Sequence, residues 1–169
     1  MNTEDADVVN YLRTFTFRSR EEIEELARAV AERPQAREAQ RALAEDVTTL
    51  VHGAEATAKV VAASRALFGR GDLAELDEAT LAAAVAELPR AEVGELTDDG
   101  PLVVDLLAEA GLVAGRGAGR RAIADGGVSV NNVRVTDGDA VLTADQLLHG
   151  RWAVLRRGKR TLAVAERRA

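Results

Sequence analysis

The stretch GRGAGRRAIADGGVSVNNVRV, residues 115–135, decides the fold of the second half of the chain. It sets three arginines within six residues at the spacing of a short helix, and Gly126-Gly127 is a typical helix end. Valines then alternate around Asn131-Asn132, a pair that tolerates positive φ and suits a two-residue hairpin turn. The stretch therefore predicts an arginine-bearing helix followed directly by a β-hairpin.

The residues before this stretch have the spacing of packed helices. Over residues 6–88 the apolar side chains recur three and four positions apart, with few β-branched runs. Ser19 and Glu22 form a capping-box pair that opens a helix ending near residue 33, and Pro34 suits the start of the next helix. That helix is predicted to end near residue 52, and further helices are predicted over residues 54–68 and 77–88. We expect four or five packed helices.

Aromatic side chains in this half also follow helical spacing. They are Tyr11, Phe15, Phe17 and Phe68. Such residues serve either as core packing or as platforms for stacked bases, and we interpret them as core. Trp152 begins a predicted strand, and its role is left open.

The second half predicts a small domain that mixes helix and strand. Residues 101–110 place apolar side chains on one helical face, and strands are predicted over 151–157 and 160–164 with a turn at Gly158-Lys159. Residues 91–100 are rich in glycine and acids without a sustained period, which is typical of a linker. We predict an α+β protein with a helical domain over 1–90, a linker over 91–100 and a small RNA-binding-type domain over 101–169.

The charge of the chain is unevenly distributed. The net charge is −6, yet basic residues outnumber acidic ones after residue 100. Because screening limits electrostatic reach to about 8–10 Å, the local excess matters more for phosphate binding than the total. There are no cysteines, no secretory signal and no apolar run of membrane-spanning length, so we expect a cytoplasmic protein without a membrane partner.

Motifs for catalysis or metal binding fail on spacing. Gly115, Gly117 and Gly119 lack the preceding strand and the final glycine of a dinucleotide fingerprint. His52 and His149 lie in different predicted domains, which gives no support to a metal centre or a nucleophile–histidine pair. We predict no catalytic residue and no metal ligand.

Two clusters of cations stand out in the second half. Arg116, Arg120 and Arg121 belong to the predicted helix, and a second cluster surrounds the turn between the last two strands. Its members are Arg156, Arg157, Lys159 and Arg160, and Arg134 on the hairpin completes the candidate RNA-binding set. Planar guanidinium groups match phosphate oxygens, and RNA duplexes are held largely by shape and phosphate contacts. The alternative is a solvated face whose arginines pair with the acidic helical half.

These motifs resemble two known arrangements. Two short helices with arginines between them, followed by Gly-Gly-Val-x-Val-Asn-Asn, resemble the S-four-type RNA-binding module. The chain as a whole resembles the C-terminal half of bacterial tyrosyl-tRNA synthetases. The similarity includes Asp5 to Arg13, Ser19 to Ile23, the run VTTLVHG at 47–53, and Leu148 to Arg160 with its basic RRGKR ending.

The resemblance implies a helical anticodon-binding domain and an S-four-like domain that grips the anticodon stem and long variable arm of tyrosine tRNA. It implies tRNA contacts at Arg120, Arg156, Arg157, Lys159 and Arg160, and an anticodon contact at Asp5. The nucleotide-binding sheet and signature motifs of the catalytic domain are missing, so this polypeptide alone should be non-catalytic. It implies no cofactor here, because ATP and tyrosine bind only the catalytic domain. It also implies a monomer, since dimerisation in the full-length homodimer resides largely there.

The stretch 115–119 departs from the family pattern. The family usually has Ser-Lys-Ser or Ser-Lys-Arg followed by residues other than glycine, whereas this chain has Gly-Arg-Gly-Ala-Gly. Loss of a capping hydroxyl together with interior glycines is expected to weaken the first helical turn by about 1–3 kcal/mol.

Three functions follow from these observations. The first is tRNA binding as the C-terminal part of a tyrosine–tRNA ligase. The second is a free-standing RNA- or ribosome-associated factor that uses the same module, and the third is a protein whose acidic helical half docks a protein partner.

Overall fold

The computed structural model describes residues 3–94, 96 and 100–168, and these residues form seven α-helices and one five-stranded sheet. The helices are α1 (Asp5–Phe15), α2 (Arg20–Glu32), α3 (Glu38–His52), α4 (Ala54–Leu67), α5 (Glu78–Val85), α6 (Val103–Glu109) and α7 (Arg116–Ala124). The strands are β1 (Arg90–Val93), β2 (Val128–Val130), β3 (Val133–Arg134), β4 (Trp152–Arg157) and β5 (Thr161–Arg167). The predicted α+β class is confirmed.

The chain divides into two compact units, one up to Val61 and the other from Ala62 onward. This division differs from the predicted boundary at residue 90. The last turns of α4 and all of α5 belong to the unit that contains the sheet. Their apolar side chains, Ala63, Ala66, Leu67, Leu81 and Val85, are buried in one cluster with residues of β4 and β5. Periodicity showed that these helices have an apolar face but not which partner covers it.

The first part of the predicted linker is a strand. β1 pairs in parallel with β5, and its Ala91 and Val93 are buried. Residues 95 and 97–99 of the predicted linker lie outside the described residues. The linker prediction was wrong for β1, because a four-residue edge strand between Pro89 and Gly94 is too short to show a period.

The first unit is built around α1, α2 and α3. Its buried core contains Val8, Leu12, Ile23, Ala39 and Leu43. The predicted capping box is confirmed at the start of α2, where the Ser19 hydroxyl accepts from the Glu22 amide at 3.2 Å and the Glu22 carboxylate accepts from the Ser19 amide at 2.8 Å. These two bonds satisfy backbone donors that would otherwise be left open at the helix start.

The connection to α3 corrects one predicted helix start. Pro34 opens a short 3-10 turn over Pro34–Ala36, and α3 begins only at Glu38. Arg37 separates the two with φ of 50°, a left-handed conformation that interrupts the helix. α3 ends at His52 before Gly53, as predicted.

The four aromatic side chains predicted as core are exposed instead. Tyr11 is 42% exposed, Phe15 54%, Phe17 94% and Phe68 46%. The core of the first unit is filled by smaller aliphatic side chains, which leaves Tyr11, Phe15 and Phe17 on its surface. Phe68 is exposed in the second unit. Trp152, by contrast, is buried at 3% exposure.

The sheet of the second unit is covered by helices on both faces. Its strand order is β1-β5-β4-β2-β3, with β1 parallel to β5 and the other neighbours antiparallel. Ala153, Leu155 and Ala163 face the cluster that contains α6 and α7. Val154 and Val164 face the cluster that contains α4 and α5. Alternation along β4 and β5 thus fills both faces, because successive side chains in a strand point to opposite sides.

The Asn131-Asn132 turn is confirmed and also serves a second purpose. Both asparagines have positive φ, 47° and 66°, as a tight hairpin between β2 and β3 requires. Asn131 Oδ1 accepts from the Val154 amide at 2.8 Å, and Asn132 Nδ2 donates to the Ala66 carbonyl at 2.7 Å. The turn is therefore fixed to β4 and to the last turn of α4.

Glu166 on β5 is the centre of a charged cluster. Its carboxylate accepts from Arg151 Nε at 2.9 Å, from Trp152 Nε1 at 3.2 Å and from the guanidinium of Arg90. Burial raises the pKa of Glu166, but the hydrogen bonds from these three donors outweigh it and hold the pKa below the usual value for glutamate.

The lowered pKa of Glu166 makes the second unit sensitive to acid. A carboxyl whose pKa is depressed by folding stabilises the protein above its unfolded-state pKa and loses that contribution as pH falls through its folded-state pKa. We expect Glu166→Gln to lower the free energy of unfolding by about 1–2 kcal/mol at pH 7. The difference from the wild type should begin to shrink as the pH falls below about 4.3, the usual pKa of glutamate in an unfolded chain, and should disappear once the carboxyl is protonated in the folded state as well.

Urea unfolding of the wild type and of Glu166→Gln, followed by circular dichroism, measures the difference in their free energies of unfolding at pH 7 and at pH 3.5. An equal difference at the two pH values would contradict a role for the ionised carboxylate.

Candidate nucleic-acid interface

The turn between β4 and β5 lies beside the end of α7. The Gly158 amide donates to the Gly127 carbonyl at 2.7 Å, which joins the two turns. Gly158 has φ of 64°, a conformation that favours glycine. Because β4 and β5 pair on either side of this turn, the basic residues before and after Gly158 lie at the same end of the sheet. We call this region the basic end: Arg134, Arg156, Arg157, Lys159 and Arg160.

The Gly126-Gly127 pair closes α7 in a Schellman motif. The Gly126 amide donates to the Ile123 carbonyl at 2.8 Å, and the Gly127 amide donates to the Ala122 carbonyl at 2.9 Å. Gly126 has φ of 69°, and the guanidinium of Arg134 occupies the space that a Cβ there would need. The predicted helix end is confirmed, and its missing side chain lets Arg134 lie against the backbone.

The side chains of Arg156 and Arg157 are held by hydrogen bonds within the second unit. Because they are neighbours on β4, their side chains leave opposite faces of the sheet. Arg156 Nε donates to Ser129 Oγ at 3.1 Å, and Arg157 Nη1 donates to the Leu112 carbonyl at 2.7 Å. Both arginines thus belong to the strand before the turn, as predicted, and each has an acceptor of its own that the sequence did not indicate.

Lys159 and Arg160 are the most available cations of the basic end. Both are exposed, and neither forms an ion pair or side-chain hydrogen bond with any residue that the structure describes. Arg121 on α7 is exposed in the same way. Two uncompensated cations on one tight turn repel each other, so the turn favours an anion nearby.

Arg116 and Arg120 on α7 are held by carboxylates. Arg116 donates two hydrogen bonds to Asp105 of α6, one of them from Nη2 at 2.6 Å, and Arg120 Nη2 donates to Asp139 at 2.6 Å. The hydrogen bonds from Arg116 hold the pKa of Asp105 below its usual value. These arginines are paired as the alternative interpretation expected, but their partners lie in their own unit rather than in the acidic first half. Exposed ion pairs contribute only about 0–1 kcal/mol, so an RNA phosphate can compete for them.

Helix α7 begins at Arg116 without a side-chain cap. Gly115 is its N-cap residue and forms no capping hydrogen bond through a side chain. Gly119 is buried against Val104 of α6, whereas Gly117 has open space where a Cβ would lie. The two interior glycines of α7 thus differ in environment.

Because of this difference, alanine should be tolerated well at position 117 and poorly at position 119. Gly117→Ala should raise the free energy of unfolding by about 0.5–1 kcal/mol, because it removes backbone freedom from the unfolded chain without creating a contact. Gly119→Ala is the matched control: its Cβ would lie 3.2 Å from Val104 Cγ1, so it should stabilise less or destabilise. Thermal unfolding of both variants measures the effect, and a lower melting temperature for Gly117→Ala would refute it.

Asp5, the candidate anticodon contact, lies in the first unit at the start of α1. Its carboxylate accepts from Gln40 Nε2 at 2.5 Å and lies 3.8 Å from Arg37 Nη1. Sequence reasoning did not single out Gln40, which is 2% exposed in the first turn of α3. The available signal was its position: the residues one helical turn later are apolar, so a polar residue there is expected on the buried face of the helix.

The described part of the chain gives no sign of a metal site or a membrane span. It contains no group of three or more histidines and carboxylates placed to hold a metal ion. Among the described residues, no helix has both the length and the apolar character needed to cross a membrane.

The fold and the basic end define an α+β protein. Its small sheet places several basic side chains next to the end of an arginine-bearing helix. Residues 80–165 match the family described as "Tyrosine--tRNA ligase SYY-like C-terminal domain", and residues 1–69 match "tRNA synthetases class I (W and Y)". The chain belongs to the tyrosine–tRNA ligase family and corresponds to the C-terminal part of its members.

Individual relatives agree with the family match. The chain is 60% identical over 166 residues to the tyrosine–tRNA ligase of Streptomyces coelicolor, covering 98% of this chain and 38% of that protein. It is 59% identical over 167 residues to the tyrosine–tRNA ligase of Mycobacterium tuberculosis H37Rv, covering 99% of this chain and 39% of the relative. The chain thus spans less than half the length of these relatives. The matches favour the first of the three functions considered above.

Proposed function

We propose that the chain binds tRNA, and that this tRNA is the tyrosine acceptor on which a tyrosine–tRNA ligase acts. The observation that carries the proposal is the basic end, where Lys159 and Arg160 project without partners among the described residues. Arg134, Arg156 and Arg157 surround them with further N–H donors. The activity for which the relatives are named, tyrosine–tRNA ligase, supplies the identity of the RNA.

We further propose that α6, α7 and the β2–β3 hairpin act as an S-four-like RNA-binding module. The support is the arrangement of two short helices, a Gly-Gly helix end and a tight hairpin, with β4 and β5 adding the basic turn. Such a surface suits duplex RNA, because A-form helices are recognised mainly by backbone shape and phosphates. On this proposal the anticodon stem and variable arm lie against the basic end, while the first unit contacts the anticodon loop.

Aminoacylation itself is assigned to the part of the relatives that this chain does not span. No residue here is proposed as catalytic, and ATP and tyrosine are proposed to bind elsewhere in a complete ligase. The chain's contribution is to hold the tRNA, as a monomer when it is isolated.

Binding of tyrosine tRNA at increasing salt tests the proposal. Phosphate contacts release counterions, so affinity should fall linearly on a double-logarithmic plot, with a slope of roughly −0.7 to −0.9 per contact. Filter binding or fluorescence anisotropy between 50 and 200 mM KCl gives the slope. An unrelated tRNA with a short variable arm is the control for specificity. No binding at low salt would refute the proposed function.

A further inference from the structure

The cations of the second unit continue past the basic end onto the C-terminal end of α4. Arg65 lies in the last turn of α4, Phe68 follows the helix directly, and Arg70 follows Gly69. We call Arg65, Phe68 and Arg70 the α4 end. All three are exposed, and Phe68 leaves 46% of its surface open. Neither arginine forms an ion pair or side-chain hydrogen bond with any residue that the structure describes.

A Schellman motif makes these three residues neighbours. The Gly69 amide donates to the Ala66 carbonyl at 3.1 Å, and the Arg70 amide donates to the Arg65 carbonyl at 2.8 Å. Gly69 has the positive φ, 75°, that this helix end requires. Arg65 and Phe68 are three positions apart in the last helical turn, which places them on one face. Two cations and one aromatic ring are thus brought together by local backbone geometry.

Two contacts join the α4 end to the basic end. The guanidinium of Arg156 lies over Gly69, with Nη1 2.6 Å from the place that a Cβ there would occupy. Asn132, in the hairpin that carries Arg134, donates from Nδ2 to the Ala66 carbonyl at 2.7 Å. Because α4 packs on the face of the sheet opposite to α6 and α7, the two groups of cations form one surface that continues around the edge of the sheet.

Helix stabilisation accounts for only part of this arrangement. The C-terminus of a helix carries partial negative charge, and the guanidinium of Arg156 already lies beside it. The exposed ring of Phe68 adds nothing to that interaction, and rings of this size usually gain by burial. The next acid along the chain, Asp72, accepts from the Ala74 amide at 2.8 Å, so its carboxylate is directed to its own turn. An exposed ring between free cations is typical of sites that bind single-stranded RNA.

We propose that the α4 end binds one unpaired nucleotide of the RNA, with its base stacked on Phe68 and the adjoining phosphates on Arg65 and Arg70. The nucleotide flanks the duplex that meets the basic end, on the other face of the sheet. Every base has a face that can stack, so the site adds affinity without reading sequence. This inference rests on the proposed tRNA-binding function and adds a second contact surface to it.

Replacement of both Arg65 and Arg70 by glutamine in the complete chain tests the phosphate contacts. The affinity for tyrosine tRNA should fall about tenfold at 50 mM KCl, and the salt slope should become shallower by about two. Glutamine at Arg167 and Arg168 is the matched control, because it removes the same charge at the far end of β5. A lower melting temperature with an unchanged salt slope would assign these arginines to helix stability alone and contradict the proposal.

Phe68→Leu tests the stacking contact separately. It should weaken tRNA binding about five- to tenfold at every salt concentration and leave the slope unchanged, because stacking on a ring releases no counterions. Phe68→Tyr retains the ring and should bind as the wild type does. Circular dichroism and the fluorescence of Trp152 verify that each variant is folded.

The outcomes distinguish this inference from the proposed function. Glutamine at Lys159 and Arg160 should weaken tRNA binding whether or not the α4 end takes part. A wild-type slope for the Arg65 and Arg70 double variant, or a wild-type affinity for Phe68→Leu, refutes the second surface even where the basic end binds tRNA. If the wild-type chain fails to bind tRNA at low salt, the proposed function and this inference are both wrong.

Discussion

Replacement of both Lys159 and Arg160 by glutamine should lower the affinity for tyrosine tRNA by roughly 10- to 100-fold at 50 mM salt. Both side chains project from the β4–β5 turn and lack partners among the described residues, so they lose no internal contact when they meet a phosphate. The salt slope should become shallower by about two, one unit for each lost phosphate contact. Fluorescence anisotropy of labelled tRNA over a range of KCl concentrations measures both quantities.

The matched control removes two positive charges at the end of β5 that is far from the β4–β5 turn. Arg167 is the last residue of β5 and Arg168 follows it, about 20 Å from the turn at 3.3 Å per residue. Glutamine at both positions changes the net charge equally and should alter affinity and slope much less. Equal losses for the two double variants would show that total charge governs binding, rather than the basic end.

Leu155→Ala should lower the free energy of unfolding of the second unit by about 2–5 kcal/mol. Leu155 is fully buried on β4 and belongs to the cluster that α6 and α7 cover. Truncation removes packing on the central strand that pairs with both β2 and β5. Trp152, the chain's only tryptophan, is buried on the same strand and reports the transition by fluorescence during urea unfolding.

Val133→Ala is the control for Leu155→Ala. Val133 lies on the edge strand β3 and is 71% exposed, so its truncation should change stability by less than about 0.5 kcal/mol. If Leu155→Ala caused a similarly small change, β4 would not be the centre of the core.

Much of the local structure was predictable because its causes are local. The capping box of α2, the end of α3 before Gly53, the Schellman end of α7 and the Asn131-Asn132 turn depend on residues within a few positions of one another. Side-chain hydrogen bonds and positive φ act at that range, so the residue types suffice.

For the candidate site, the sequence names a set of cations but not their arrangement. Sequence alone grouped Arg156 and Arg157 with Lys159 and Arg160, because all four are neighbours along the chain. Strand alternation and the acceptors Ser129 and Leu112 separate them, and only the packed sheet brings these acceptors within reach. The carboxylate partners of Arg116 and Arg120 likewise come from other elements.

By itself, the sequence determined the α+β class, most helix ends, the hairpin turn and the kinship with tyrosine–tRNA ligases. Only the tertiary structure decided where the units divide, that β1 joins the sheet, that the aromatic rings of the first half are exposed, and which cations have partners. The physical reason is range: caps and turns are stabilised by neighbours in the chain, whereas burial and ion pairing depend on partners that packing alone brings together.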